Sequence, residues 1–241
     1  MRFLDVTLPG LAANLALDDA LLHEIEEEGL GPVLRVWELP EPAVVLGASG
    51  RIDEDVNVET CRRDAVPLGR RSSGGGTVVI GPGAINLAVV LPMDYAPELA
   101  GVETAQTYVL DRIGGALRQL GPAVELLGSG DLTIGRRKFC GSAQRRLRKS
   151  VLVHTTVCDR LRLDAISLYT HPPRRQPAYR EGRSHEEFVI NLGLGRAQIV
   201  RAFLNAWLPS ETAPEPARIP DRRVRDLLAS KFADRGWIER L

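Results

Sequence analysis

Short apolar runs, separated by Gly, Pro and charged residues, fill the middle of this chain and restrict it to a fold built on β-sheet. The expected strands are residues 33–37, 43–46, 66–68, 77–80, 85–91, 124–127, 131–134, 138–144 and 151–157. Apolar residues with helical spacing predict helices at residues 14–28 and 104–120. A short polar helix is expected at residues 56–64, and two further helices at residues 197–208 and 220–232. Because these strands do not alternate regularly with helices, we expect an α/β (α+β) fold with mixed or antiparallel sheets flanked by helices.

The chain has 241 residues, a length that suits one large domain or two small ones. Its Pro-rich stretch, residues 209–220, lies too near the last helix to divide the chain in two. We therefore predict a single domain over residues 1–241, with residues 209–220 as a linker to a terminal helix.

Charge and cysteine content exclude several classes of protein. The 31 basic residues balance the 31 acidic ones, which argues against an electrostatic attraction of the whole chain to nucleic acid or to an anionic membrane but allows a local basic patch. No apolar run approaches the ~20 residues of a membrane span, and the first residues do not resemble a signal peptide. Three cysteines without a CxxC pair argue against a disulfide framework or a zinc ribbon. We expect a cytoplasmic protein without nucleic-acid or membrane partners.

A glycine-rich run, Arg70-Arg71-Ser72-Ser73-Gly74-Gly75-Gly76-Thr77, lies between two expected strands. Consecutive glycines let the backbone approach a ligand closely and leave N–H groups free for anionic oxygens. The two arginines could supply charge-assisted hydrogen bonds to a phosphate or carboxylate. A flexible hairpin turn with solvated arginines would produce the same run.

A second segment, residues 131–144, predicts a strand, a tight turn at Gly135 and another strand that carries Lys138. A lysine fixed on a strand can place a point cation beside a developing oxyanion. The alternative is a surface hairpin with ordinary exposed Lys and Arg side chains.

In their order along the chain and in their residues, these two segments resemble the lipoate–protein ligase A family. That family carries Arg-Arg-x-Ser-Gly-Gly-Gly, then Asp-Leu…Gly-Arg-Lys-x-Ser-Gly-x-Ala, and then His-Gly-Thr. The matching residues here are 70–76, 131–143 and 154–156. Residues 14–22 resemble the family's first helix, and residues 34–37 and 43–47 resemble its opening strands. The resemblance covers most of residues 1–160.

The chain departs from the family pattern in three places. Residues 78–81 read Val-Val-Ile-Gly where the family often has Val-Tyr-His-Asp. Residues 47–51 read Gly-Ala-Ser-Gly-Arg instead of Gly-Arg-x-Gln-Asn, and Thr155 replaces the Gly of His-Gly-Thr. The length also predicts a short form without the separate C-terminal accessory domain of the longer ligases.

The resemblance implies the class II aminoacyl-tRNA synthetase or biotin–lipoate ligase fold. It also implies a two-step reaction, in which ATP with Mg²⁺ activates lipoate or octanoate to acyl-AMP and a carrier lysine then accepts the acyl group. Lys138 is the expected catalytic residue. The expected acyl-adenylate site comprises Arg71, Ser73, Gly74, Gly75, Gly76, Thr77, Val78, Val79 and Lys138. The expected lipoyl pocket comprises Arg70, Gly141, Ala143 and His154. Asp131 is the candidate metal ligand.

The expected partner is a lipoyl domain of a 2-oxoacid dehydrogenase subunit or the glycine cleavage H protein. The enzyme is expected to act as a monomer or with an accessory subunit. Octanoyltransferases of the same fold use a cysteine thiolate instead of ATP. Cys140 replaces the family's serine and could be such a nucleophile, although packing would equally explain it. Cys158 fits the transferase pattern poorly because it follows His154 too closely. A non-catalytic partner subunit that binds lipoyl domains is a further alternative.

Residues 172–185 are rich in Pro and Arg and predict an ordered loop. This segment could cover the adenylate or present positive charge to an acidic lipoyl domain. A rigid surface loop, with arginines bound to neighbouring carbonyl groups, is the alternative.

Overall fold

The computed structural model describes residues 1–208 and 212–241, so part of the predicted linker (residues 209–211) lies outside the described residues. The strands are β1 (Arg2–Asp5), β2 (Val33–Trp37), β3 (Ala43–Leu46), β4 (Leu68–Arg70), β5 (Val78–Ile80), β6 (Ala84–Pro92), β7 (Val124–Leu127), β8 (Asp131–Ile134), β9 (Arg137–Arg146), β10 (Ser150–Cys158) and β11 (Glu215–Pro216). The helices are α1 (Leu11–Glu28), α2 (Ile52–Asp55), α3 (Val58–Arg63), α4 (Val102–Arg118), α5 (Asp164–Tyr169), α6 (His185–Phe188), α7 (Arg196–Asn205), α8 (Asp221–Leu227) and α9 (Arg235–Ile238).

Two sheets form the framework, which confirms the predicted mixed α/β class. The larger sheet has eight strands in the order β11-β1-β2-β6-β10-β9-β8-β7, and the smaller has three in the order β4-β3-β5. β1 runs parallel to β2 and β11, and the other pairs of the large sheet are antiparallel. β6, β9 and β10 are the longest strands and form its centre.

Each face of the large sheet buries a separate apolar core. Along β10, Val151, Val153 and Val157 pack with α4 and α7, whereas Leu152 on the opposite face packs with α1. This alternation follows from the two-residue period of a strand. A third cluster lies between the small sheet and helices α3 and α5. The face toward α1 is the one that carries His154 and the site described below.

α1 begins earlier than its apolar spacing predicts. The side chain of Asn14 accepts a hydrogen bond from Leu8 N (2.9 Å) and donates to the carbonyl groups of Leu8 and Gly10 (2.7 Å each), which fixes the entry to the helix at Leu11. Asp18 and Asp19 therefore lie beyond the first turn and are buried. Both carboxylates bind side chains from elsewhere in the fold and do not lie at the N-terminal end of the helix dipole.

Candidate active site

A cavity of about 270 Å³ lies on the α1 face of the large sheet, beneath the small sheet. Aromatic and aliphatic side chains form much of its wall: Leu15, Trp37, Val45, Val78, Ile80 and Ile166. Charged and polar side chains also line it, among them Arg71, Asp131, Lys138 and His154. An apolar slot with a few converging polar groups is the usual form of a small-molecule site.

Arg71 determines the shape of the glycine loop, residues 72–77. Its buried guanidinium donates to the carbonyl oxygens of Gly74 (2.5 Å) and Gly76 (2.8 Å) and to Oγ of Ser73 (3.0 Å). Burial lowers the pKa of Arg71 to about 10, so the side chain remains a cation at neutral pH. Because Arg71 binds carbonyl groups of the loop, it restrains the conformation of the loop. The loop is therefore not the flexible hairpin turn with solvated arginines that the sequence also allowed.

His154 extends this hydrogen-bond chain into the cavity. Its Nε2 lies 2.6 Å from Oγ of Ser73, which also accepts from Arg71. Burial and the nearby charge of Arg71 lower the pKa of His154 to about 3. A neutral His154 can accept the hydroxyl hydrogen of Ser73, so the three side chains form a directed chain from Arg71 through Ser73 to His154.

The position of Lys138 follows from a tight hairpin between β8 and β9. Gly135 and Arg136 connect Ile134 to Arg137, and both have positive φ (54° and 61°), the signature of a type I′ turn. A register shift near Thr133 then places Lys138 beside the cavity. Its Nζ lies 2.7 Å from Oδ1 of Asp131, and its side chain is 30% exposed.

Tyr179 completes this group from the Pro- and Arg-rich segment. Its hydroxyl donates to Oδ2 of Asp131 at 2.7 Å. Burial and the Asp131 carboxylate raise the pKa of Tyr179, so the phenol keeps its proton. Both oxygens of Asp131 are thus occupied, one by a cation and the other by a hydroxyl. The sequence did not single out Tyr179, although the composition of its segment drew attention to the region.

The structure brings most of the predicted site residues to one cavity. Those that line it are Arg71, Gly76, Thr77, Val78, Val79, Asp131, Lys138, Gly141, Ala143 and His154. Ser73 supports His154 directly, and Gly74 and Gly75 belong to the loop that Arg71 holds. A Cβ on Gly141 would lie 2.7 Å from Nζ of Lys138, so a larger residue there would displace the lysine amine.

Arg70 lies outside the cavity to which it was predicted to belong, whereas Asp131 lines the cavity and is paired there with other side chains. Arg70 is fully buried away from the cavity lining, where it donates to the backbone carbonyls of Gly47, Gly50 and Ile238. As for a metal site, no group of three His, Cys, Asp or Glu side chains suitable for an ion occurs among residues 1–208 and 212–241. Asp131 instead binds Lys138 and Tyr179.

The cysteines are free thiols, and their surroundings disfavour ionisation. Cys140 and Cys158 line the cavity, but burial raises their pKa values to about 12 and about 11. Cys61 lies in the core beneath the small sheet, and burial raises its pKa as well. A thiol acts as a nucleophile through its thiolate, which these environments suppress.

The segment after α5 forms part of the cavity wall. Arg175, Arg180, His185 and Phe188 line the cavity, and the Arg180 guanidinium lies over the Phe188 ring at 4.8 Å. Arg180 also donates to the carbonyl of Arg183 at 2.8 Å. The predicted ordered loop thus contains a short 3₁₀ turn (Ala178–Arg180) and ends in α6.

Most of the chain matches a known protein family. Residues 11–203 match the family model described as the lipoyl protein ligase A/B catalytic domain. The chain belongs to this family. The match confirms the family to which the sequence motifs pointed, and it includes the glycine loop, Lys138 and His154.

Some relatives of the chain are named as lipoate-protein ligases and others as octanoyltransferases. An Aeropyrum pernix protein named "Putative lipoate-protein ligase A" is 33% identical over 144 residues, which are 60% of this chain and 52% of that protein. The chain thus spans about half the length of that relative. The octanoyltransferase LipM of Moorella thermoacetica is 25% identical over 99% of this chain and 97% of its own.

The fold has a close counterpart among solved structures. A lipoate-protein ligase A crystal structure superposes with a TM-score of 0.84 at 21% identity and covers 100% of this chain and 99% of that chain. The family fold that the sequence predicted is therefore confirmed. Within the described residues, no helix is both long and apolar enough to cross a bilayer.

Proposed function

We propose that this chain is a lipoate–protein ligase that activates lipoate or octanoate with ATP and transfers the acyl group to a lysine of a lipoyl carrier domain. The proposal treats residues 1–241 as one catalytic domain. The observation that carries it is the contrast at the cavity between a partly exposed lysine and two thiols with raised pKa values. Such a site can stabilise anions, but it cannot readily form a thiolate nucleophile.

The first step brings together a carboxylate and a triphosphate, both of them anionic. The carboxylate oxygen attacks the α-phosphorus, and pyrophosphate leaves. Lys138 supplies a compact cation for the oxygens of this centre, and the glycine loop supplies backbone N–H groups. The described residues form no carboxylate cluster for Mg²⁺, so the ion would arrive as part of the nucleotide substrate. The similar crystal structure, of a lipoate-protein ligase A bound with ATP, supports the choice of nucleotide.

In the second step, the carrier lysine attacks the acyl carbonyl as a free amine and AMP leaves. Lys138 can then stabilise the carbonyl oxygen as negative charge develops on it. Asp131 and Tyr179 orient the Lys138 amine between these steps through the contacts described above. The acyl tail would occupy the apolar slot over Gly141 and Ala143, where small residues leave room.

The runner-up is a cysteine-dependent octanoyltransferase. The nearly full-length similarity to LipM supports it, as do the positions of Cys140 and Cys158 at the cavity. A non-catalytic lipoyl-domain-binding subunit is the third candidate. The intact set of Arg71, Lys138 and three loop glycines supports a catalytic role instead.

One experiment separates these candidates. The purified chain is mixed with lipoate, ATP and Mg²⁺, and pyrophosphate is followed with and without lipoate. We expect lipoate-dependent release, followed by acylation of a lipoyl domain. Acylation from octanoyl carrier protein without ATP would replace the ligase with the transferase. Binding of the lipoyl domain with neither reaction would indicate the non-catalytic subunit.

A further inference from the structure

Residues 221–241 contact Arg70 directly and reach Ser72, on the other side of Arg71, through Asp19 of α1. This segment comprises α8, a π-helical turn (Leu228–Phe232) and α9, and it packs against α1 through Val224 and Phe232. It lies beyond residues 11–203, which match the family model. Its sequence predicts only a terminal helix at residues 220–232.

The first contact runs through α1 to Ser72. Nζ of Lys231 donates to Oδ2 of Asp19 at 2.8 Å, and Oγ of Ser72 donates to Oδ1 of the same carboxylate at 2.6 Å. The Asp19 side chain is 2% exposed. A buried carboxylate needs such partners, because an uncompensated buried charge is costly. Lys231 therefore helps to hold the acceptor that fixes Ser72.

The second contact is with Arg70. Nε1 of Trp237 donates to the Arg70 carbonyl at 2.9 Å, and the Arg70 guanidinium donates to the Ile238 carbonyl at 2.8 and 3.0 Å. The same guanidinium donates to Gly47 (3.0 Å) and Gly50 (2.6 Å). Arg70 thereby joins α9 to the turn formed by residues 47–50.

That turn lies directly against the glycine loop. Ala48 N donates to the Ser73 carbonyl at 2.8 Å. A Cβ atom on Gly47 would lie only 2.0 Å from the Gly75 carbonyl oxygen, so the two backbones are in contact. Because little space separates them, a shift of the turn must shift the loop as well.

We propose that residues 221–241 position the glycine loop for the nucleotide through Lys231 and Trp237. Lys231 acts through Asp19 on Ser72, and Trp237 acts through Arg70 on the 47–50 turn. Both are positioning residues, since neither lines the cavity. That the loop is positioned for a nucleotide rests on the proposed function. That residues 221–241 hold the loop in place does not depend on it.

Each variant changes one side chain in the full chain. Loss of the Lys231 ammonium removes its ion pair with Asp19 and its contacts with the Phe232 and Trp237 rings. Lys231→Met keeps an unbranched side chain and loses the charge, and Lys231→Arg restores a cation. Trp237→Phe keeps an aromatic ring beneath Arg240 and loses the N–H donor. Arg223→Ala is the matched control, because Arg223 joins the same segment to the same helix through Glu27 (2.8 and 3.0 Å), about two turns from Asp19.

The first readout is hydrogen exchange of backbone amides and does not depend on activity. Residues 46–50 and 71–77 should exchange about tenfold faster in Lys231→Met and in Trp237→Phe, as expected for loss of one buried hydrogen bond. Strands β9 and β10 should be unchanged, and Lys231→Arg should restore slow exchange. Unchanged loop exchange in both variants, or equal acceleration in Arg223→Ala, would overturn the proposal.

The second readout separates binding from chemistry. In the pyrophosphate assay, Lys231→Met and Trp237→Phe should raise KM for ATP about tenfold and leave kcat within about twofold. A fall in kcat at unchanged KM would contradict a role in positioning the loop for the nucleotide. If the native chain releases no pyrophosphate, the proposed function fails, and the exchange experiment alone decides whether the segment holds the loop.

Discussion

The side chain of Lys138 packs directly against Gly141, in the space that a side chain at position 141 would need. A Cβ on Gly141 would lie 2.7 Å from Nζ and 2.8 Å from Cε of Lys138. These lysine atoms are the far end of a flexible side chain. A methyl group at position 141 would therefore move the amine without disturbing the backbone. The present position of the Lys138 amine therefore depends on a glycine at position 141.

Gly141→Ala should consequently lose activity and keep its fold. We expect adenylate formation to fall by about tenfold or more, since displacement of a catalytic group by about 1 Å can cost far more than that. The thermal midpoint should change by only a few degrees, as it would for a ΔΔG near 1 kcal/mol. Calorimetry and pyrophosphate release measure the two effects, and normal turnover by Gly141→Ala would show that Lys138 works from another position.

The glycine loop offers a matched pair of substitutions. Gly75 has a φ of +86°, and a Cβ there would lie 3.0 Å from Nη2 of Arg71. At Gly74, a Cβ would meet no described heavy atom within 4 Å. Gly75→Val should therefore abolish adenylate formation in a folded protein, because strain and contact with Arg71 distort the loop. Gly74→Ala should retain most of the activity, and equal losses in the two variants would contradict this account.

The positions of most strands along the chain, and the motifs that line the cavity, were accessible from the sequence because they depend on local patterns. Residues 124–127 and 131–134 match β7 and β8, and the segments for β9 and β10 fall within two residues of the structure. The expected helix at residues 56–64 corresponds to α3, whereas α2 was missed. β1 was also missed, because charged Arg2 and Asp5 bracket its short apolar core. Tertiary pairing with β2 determines that strand.

The roles of Arg70 and Asp131 depend on distant partners. The Ile238 carbonyl that Arg70 binds lies 168 positions along the chain, and the Tyr179 hydroxyl on Asp131 lies 48 positions away. A motif identifies residue types at fixed spacing, so it cannot show which backbone will later pack against them. Lys138 was recognised because its partner Asp131 lies in the same hairpin, within the same sequence motif.

Lys138 and Cys140 separate the two enzyme candidates. Lys138→Ala should lower adenylation and transfer by at least about 10²-fold, the usual cost of losing one electrostatic stabiliser. Lys138→Arg should rescue little, since a planar guanidinium places its charge differently. Cys140→Ser should be nearly silent, because the buried thiol with a pKa of about 12 takes no part in the ligase reaction. An acyl thioester trapped on Cys140 from octanoyl carrier protein would instead establish the transferase.

Tyr179→Phe tests the orientation of Lys138 by Asp131. The substitution removes one hydrogen bond to a carboxylate and leaves the ring in contact with Phe188, whose centroid is 5.2 Å away. We expect kcat to fall by about tenfold, consistent with the 1.5–3 kcal/mol typical of a hydrogen bond to a charged group. Because Tyr179 keeps its proton across the accessible range, the loss should be the same from pH 6 to 9. A loss that appears only at alkaline pH would contradict this role.

His154 should make the protein less stable in acid. The folded chain keeps His154 neutral down to a pKa of about 3, whereas in the unfolded chain the same residue takes up a proton below about pH 6.5. Protons therefore favour the unfolded state between these values, and the free energy of unfolding falls as pH decreases. One proton accounts for up to about 1.4 kcal/mol per pH unit. In urea titrations between pH 6.5 and 5, His154→Gln should show a shallower decline than the native chain. Equal slopes in the two proteins would mean that His154 is already protonated in the folded state. A protonated His154 could not accept the hydroxyl hydrogen of Ser73, so the proposed direction of the hydrogen bonds from Arg71 through Ser73 to His154 would be wrong.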